Sequence, residues 1–307
     1  MRIVFFGTPV FAVPSLQALV SGNFDLAGVV TQPDKPQGRS RSELIPPPVK
    51  LTAQSHQIPV LQPERPLGDV FTASLRRLEP DLGIVVAYGH ILRPEILAVP
   101  SRGMINVHAS LLPRYRGAAP VQHAILRGET ETGISIMQME AGLDSGPVLH
   151  RVVTQIDPEE NAGTLAGRLA ELGATALIET LSLISGGLAR AQPQDNARAT
   201  YAPKIDRDMA RLVWQRDAST LVRQVRAFDP APGAWTTLNG YVLKLFGARE
   251  VAGAGEPGTV LAAGDRLVVA AARGAVAVNE VQPAGKTRLP VEAWVRGRGV
   301  SLGQRLE

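Results

Sequence analysis

The chain has 307 residues, of which 45% are hydrophobic and 20% charged, which suits a globular protein of about two domains. It contains no cysteine, which excludes disulfides, thiolate catalysis and cysteine-ligated metal centres and fits a reducing compartment. The net charge of +4 is uneven: residues 1–200 carry 17 Lys+Arg against 18 Asp+Glu, and residues 201–307 carry 15 against 10, as in a C-terminal module that meets a polyanion, with nucleic acid the first candidate.

Arg2–Phe6 is predicted as a buried strand, followed by Gly7-Thr8-Pro9 and a helix to about Val20, with Thr8 as its N-cap. This opening fits a doubly wound α/β domain, although the G-x-G-x-x-G fingerprint of dinucleotide sites is absent. The first segment is too short for a signal-peptide core, and no apolar stretch reaches membrane-spanning length, so a cytoplasmic protein without a membrane partner is expected. After a second strand, Asp25–Thr31, the segment Gln32–Pro48 holds five prolines and the cations Lys35, Arg39 and Arg41. A loop of that length and charge suits a phosphate backbone.

Helices are predicted over Val49–His56 and Asp69–Leu78, with a short strand at Ile58–Leu61 between them. Leu82–Tyr88 is continuously apolar, as expected of a parallel strand covered on both faces. Gly89, His90, Ile91 and Leu92 follow at its carboxyl end, where open α/β sheets bind ligands. The strand 103–109 places Asn106 and His108 on one face, two residues apart. An amide donor beside an imidazole can stabilise an oxyanion. Ser110, Leu111, Leu112 and Pro113 end this strand, and Arg114 and Arg116 make a basic turn.

A helix over Ala118–Arg127 and a strand over Gly133–Met139 lead to Ala141–Gly146, where Asp144 lies between Gly142 and Gly146 in a tight turn. A carboxylate there can accept a proton or orient His108. A serine triad of Ser110, His108 and Asp144 is disfavoured by the lack of a G-x-S-x-G elbow, and no zinc-ligand spacing is present. His56, His90, His123 and His150 are scattered singly. Acyl transfer from a preformed donor fits the trio best. A strand at Val148–Ile156 and a helix at Thr164–Ser185 close this half, and the Gly, Pro, Gln and Asn content of Gly186–Asp206 predicts a linker. Beyond it come a helix, Asp217–Ala227, and five short strands at Trp235–Leu238, Tyr241–Ala248, Gly258–Leu261, Leu267–Ala271 and Ala275–Gln282, which suggest a small OB-like barrel.

Ile105–Pro120 with Met137–Gly146 closely resembles the folate-dependent formyltransferases. Phe6–Pro9, Thr31–Asp34, Val86–Gly89, Thr200–Lys204, Arg226–Pro230 and Gln282–Lys286 resemble the branch of that family that acts on charged initiator tRNA. The resemblance implies a Rossmann-like catalytic domain over 1–189, a linker over 190–206 and an OB-like tRNA-binding domain over 207–307. It implies 10-formyltetrahydrofolate as donor, with no metal, and the α-amine of methionine on initiator tRNA as acceptor. Asn106 and His108 then polarise the formyl group, with His108 as a neutral imidazole, and Asp144 assists proton transfer. Gly89–Leu92 and Ser110–Pro113 contact folate, and Lys35, Arg39 and Arg41 meet the tRNA, in a chain expected to work as a monomer. The loop Gly38-Arg-Ser-Arg-Ser-Glu43 lacks the lysine pair frequent in that branch. A sugar-nucleotide formyltransferase and a non-catalytic tRNA-binding protein are the competing readings.

Overall fold

The computed structural model describes residues 1–37 and 43–307, and the predicted tRNA contacts Arg39 and Arg41 lie outside the described residues. The chain forms two compact units. Unit 1 takes Met1–Pro120, Thr132–Thr154 and Ala166–Ala202, and unit 2 takes Val121–Glu131, Gln155–Leu165 and Pro203–Glu307.

In chain order, the first half contains β1 (Arg2–Gly7), α1 (Val13–Ser21), β2 (Asp25–Val30), β3 (Lys35–Gln37), β4 (Glu43–Ile45), α2 (Pro48–Ser55), β5 (Val60–Leu61) and α3 (Asp69–Arg76). It continues with β6 (Leu82–Val86), α4 (Pro94–Leu97), β7 (Met104–His108), α5 (Pro120–Leu126), β8 (Glu131–Gln138), β9 (Val148–Gln155) and α6 (Ala162–Ser185). The seven-stranded sheet has the order β5-β2-β1-β6-β7-β8-β9. β5, β2, β1, β6 and β7 run parallel, and β8 returns antiparallel to β7. Alternate residues of the central strands face opposite layers. On one face Val4, Phe6, Val30, Val85 and Met104 pack with Phe71 and Leu75 of α3 and Ile96 and Leu97 of α4.

The carboxyl ends of the central strands are tied by side chains. Thr8 Oγ1 and Gln32 Nε2 both donate to the Tyr88 carbonyl at 2.9 Å. Thr8 is therefore not a helix cap: a 3-10 turn, Val10–Ala12, precedes α1 without a side-chain cap. The long proline-rich loop is not wholly irregular either, because β3 and β4 pair antiparallel, Lys35 with Ile45.

Unit 2 contains α7 (Ala218–Phe228), β10 (Ala234–Leu238), β11 (Tyr241–Val251), β12 (Val260–Ala263), β13 (Leu267–Ala270), β14 (Ala275–Pro283), β15 (Leu289–Pro290) and α8 (Val291–Arg296). Its antiparallel sheet has the order β10-β11-β14-β13-β12, with β15 on β14. The last residues join the two edge strands. Glu307 exchanges two backbone hydrogen bonds with Thr237, while Leu306 N–H donates to Gly258 O and Val260 N–H to Gln304 O. This closes the sheet toward a barrel and removes its free edges. The five predicted strands are present, and β15, α8 and the closing tail were not anticipated.

Candidate active site

β7 is buried because it lies between β6 and β8, and this places Asn106 opposite Met137 and His108 opposite Ser135. The two side chains share a face at the carboxyl end of the strand. His108 is 6% exposed and Asn106 is half-buried. Among the described residues the Asn106 carboxamide makes no hydrogen bond to protein, which leaves its N–H donors for a ligand.

The predicted trio comes together in part. Asp144 Oδ2 lies 3.7 Å from His108 Nδ1, beyond hydrogen-bond length. The same oxygen accepts the Gly117 N–H at 2.8 Å. His108 Nε2 lies 2.9 Å from the Tyr115 carbonyl. A carbonyl only accepts, so Nε2 carries the proton. In a neutral ring Nδ1 is then a bare lone pair. The expected donation from a neutral imidazole to a formyl oxygen therefore does not hold in this conformation. Nδ1 donates only from the protonated ring, for which the Asp144 carboxylate is the counter-charge.

The turn after β7 is built from the inside. Ser135 Oγ, wholly buried, accepts from Leu112 N–H at 3.1 Å and donates to Ser110 O at 2.7 Å. Ser110 Oγ donates to Arg114 O at 2.6 Å. Leu112 packs with Met137 and Val148. The side chains of Ser110 and Leu112 thus shape the loop from behind. Leu92 is likewise in the core, whereas Gly89, His90 and Ile91 are exposed at the end of β6, Ile91 to 88%. Leu111 and Pro113 are half-buried. Lys35 Nζ donates to Gln32 Oε1 at 2.6 Å at the start of the hairpin.

The basic turn is only half basic on the surface. Arg114 is exposed, but Arg116 is 4% exposed. Its Nε and Nη2 donate to Gln194 Oε1 at 3.1 and 2.8 Å, and Nη2 also to Asn196 Oδ1 at 2.8 Å. Neither partner stood out in the sequence, because a Gln in a Pro- and Asn-rich stretch has no local signature. Part of the predicted linker 190–206 is bonded along this turn: Arg116 N–H donates to Thr200 O, and Ala202 N–H to Arg116 O. Gly117, at φ +119, lies where a Cβ would meet Ala202 O at 2.7 Å.

His123 and His150 have local roles. His123 Nε2 bonds Pro203 O at 3.1 Å, and burial holds its imidazole below the ordinary value. His150 pairs with Glu179 at 2.8 Å. The Tyr88 hydroxyl is buried without a hydrogen-bond partner among the described residues, and burial pushes its phenol up to about 12.

Two family models match this chain, "Formyl transferase" over residues 1–181 and "Formyl transferase, C-terminal domain" over 204–299. The chain belongs to the formyl transferase family. Among these formyl transferases, a methionyl-tRNA formyltransferase of Pelobacter propionicus is 48% identical over 305 residues, 99% of this chain and 95% of its own length. One of Methylococcus capsulatus is 46% identical over 308 residues, 100% of this chain and 99% of its own. The fold is shared with solved formyl transferases at lower identity. An N-formyltransferase of Helicobacter canadensis matches with TM-score 0.71 and 16% identity over 92% of this chain and 99% of its own. HypX of Aquifex aeolicus, solved with tetrahydrofolic acid, matches with TM-score 0.68 and 21% identity over 97% of this chain and 47% of its own. No helix among the described residues is long and apolar enough to cross a membrane.

Proposed function

We propose that this formyl transferase moves the formyl group of 10-formyltetrahydrofolate onto the α-amine of methionine carried by initiator tRNA, for translation initiation. The observation that carries this reading is the placement of Asn106, His108 and Asp144 around the carboxyl end of β7. Full-length relatives at 43–48% identity, named methionyl-tRNA formyltransferase, support the choice of acceptor.

The amine attacks the formyl carbon and a tetrahedral oxyanion forms. The Asn106 carboxamide donates a hydrogen bond to that oxygen, as does His108 Nδ1 when the ring carries both protons. Asp144 takes the proton that the amine must lose, directly or through water. Collapse breaks the bond between the formyl carbon and the folate nitrogen, which leaves with the proton that Asp144 took. Because both substrates are brought in preformed, positioning and oxyanion stabilisation are the main demands on the protein.

In this reading Gly89, His90 and Ile91 meet the donor directly, and Leu92 and Ser110–Pro113 shape its pocket. Lys35, Arg39 and Arg41 approach acceptor-stem phosphates. The division into a catalytic domain of residues 1–189, a connection 190–206 and a tRNA-binding domain 207–307 belongs to the same proposal, supported by family models that end at 181 and resume at 204. A monomer suffices, since one chain supplies the whole trio, and an initiator-tRNA acceptor supports a cytoplasmic reaction. The test is formylation with charged initiator tRNA, charged elongator tRNA and an amino-sugar nucleotide. Formylation of the initiator alone is expected; product on the amino sugar, or none on any acceptor, would overturn the reading.

A further inference from the structure

We infer that Gln194 is a positioning residue for Asp144, holding the catalytic turn in place from a strap formed by residues 192–202. The inference rests on the reading of Asp144 as the group that takes the amine proton.

The Asp144 turn is tight and unusual in backbone. Asp144 has φ +46, in the left-handed region, which a non-glycine residue occupies at some cost and keeps only where its surroundings hold it. Two residues on, a Cβ at Gly146 would collide with the Gln138 carbonyl. One carboxylate oxygen is fixed by Gly117 N–H, but that contact alone does not hold the backbone beneath it. Gln194 does so from the other side. Its Nε2 donates to Asp144 O at 2.8 Å and to Gly146 O at 2.7 Å. Both amide hydrogens are thus used on carbonyls that bracket the turn.

The orientation of that amide is decided by chemistry. Arg116 only donates, so the oxygen of Gln194 faces its guanidinium and the NH2 faces the two carbonyls. Among the described residues, the acceptors of this buried arginine are the neutral amides of Gln194 and Asn196. A primary amide meets both demands of the position, with two donors toward the turn and one acceptor toward the arginine. The strap carrying Gln194 is itself anchored. Gln192 exchanges two backbone bonds with Val148, and Thr200 Oγ1 accepts from Tyr115 N–H at 2.9 Å. Tyr115 is also the residue whose carbonyl sets the His108 tautomer. One segment therefore touches the supports of both His108 and Asp144.

Two substitutions separate positioning from packing. Gln194→Met keeps length and removes every hydrogen bond. Gln194→Glu keeps and strengthens the acceptor for Arg116, but sets an oxygen against Asp144 O and Gly146 O. If Gln194 serves only to satisfy Arg116, the Glu variant works as well as the parent. If it positions Asp144, both variants lose kcat, by roughly tenfold to a hundredfold as for a small misplacement, while KM for donor and for tRNA stays within about twofold. The full-length chain is assayed by steady-state formylation of charged initiator tRNA, with melting temperature measured beside it. The Glu variant keeps the buried guanidinium satisfied and so remains informative if the Met variant is unstable. Unchanged kcat in the Glu variant, or a raised KM at constant kcat, overturns the inference. Asp144→Asn is assayed in parallel. If it retains full kcat, the reading of Asp144 itself falls; if it is crippled while Gln194→Glu is not, only the role of Gln194 falls.

Discussion

At the scale of single residues, chemistry turns on where protons are held. With Nε2 committed to the Tyr115 carbonyl, Nδ1 is the ring nitrogen left for the oxyanion contact proposed for His108. His108→Ala removes one oxyanion donor, which typically costs about 10²–10³ in rate. That loss is expected in kcat, with donor affinity little changed because the imidazole interacts with charge that develops only in the transition state. Single-turnover formylation and equilibrium binding of a folate analogue to the same variant check both halves; near-parental kcat would refute the assignment. Asp144→Asn is a sharper change. The amide oxygen of Asn can still accept from Gly117 N–H, so the turn persists while the base is gone. A fall in kcat of roughly 10²–10⁴ is expected, the range of a general acid or base. An Asn variant of parental rate would reduce Asp144 to a turn residue.

At the scale of elements, the loop after β7 owes its shape to one buried hydroxyl. Ser135 on β8 bonds both Leu112 N–H and Ser110 O, so an antiparallel neighbour shapes the loop proposed for the donor. Ser135→Ala leaves two buried backbone groups without that partner, at a cost of about 1–3 kcal/mol each way such a group is stranded. The expected result is a lower denaturation midpoint together with weaker donor binding, read by urea titration and folate-analogue affinity. Retained donor affinity at reduced stability would show that the loop keeps its form without Ser135. β3 and β4 are the other element with a functional expectation. They pair as a short ribbon on either side of residues 38–42, and Lys35 is tied to Gln32 at its base.

At the scale of the whole chain, charge is spread unevenly along the sequence. The excess of basic residues lies beyond residue 200, in the sequence that forms the antiparallel sheet. Within that unit some cations are structural. Arg288 pairs with the buried Asp229 at 2.7 Å and lies 4.1 Å from the Phe246 ring centre. Net charge therefore overstates what is available to an RNA. Affinity for tRNA should still fall with salt, because each phosphate neutralised releases counterions. Arg39→Ala is expected to lower kcat/KM for initiator tRNA and to flatten its salt dependence by about 0.9 in the log–log slope for a single lost phosphate contact. Donor affinity should be unaffected. A salt series of kcat/KM for both proteins checks this; identical slopes would make the loop a spectator.

The sequence by itself determined most of the elements and the family they belong to. Continuous apolar runs identify the parallel strands, because such strands are covered on both faces, and a two-residue spacing puts Asn106 and His108 on one face regardless of what surrounds them. The glycines at 142 and 146 single out Asp144 because they let backbone come close to a ligand. Only the tertiary structure decided what long-range hydrogen bonds control. Thr8 looked like a cap and instead bonds a backbone carbonyl 80 residues away. Arg116 looked like surface charge and is buried against Gln194 and Asn196, with which it shares no local pattern. The protonation geometry of His108 depends on a backbone carbonyl seven residues on, and the closure of the second sheet on its final residues. Local patterning records which side chains face a core, whereas a hydrogen bond between distant segments leaves no periodicity to read.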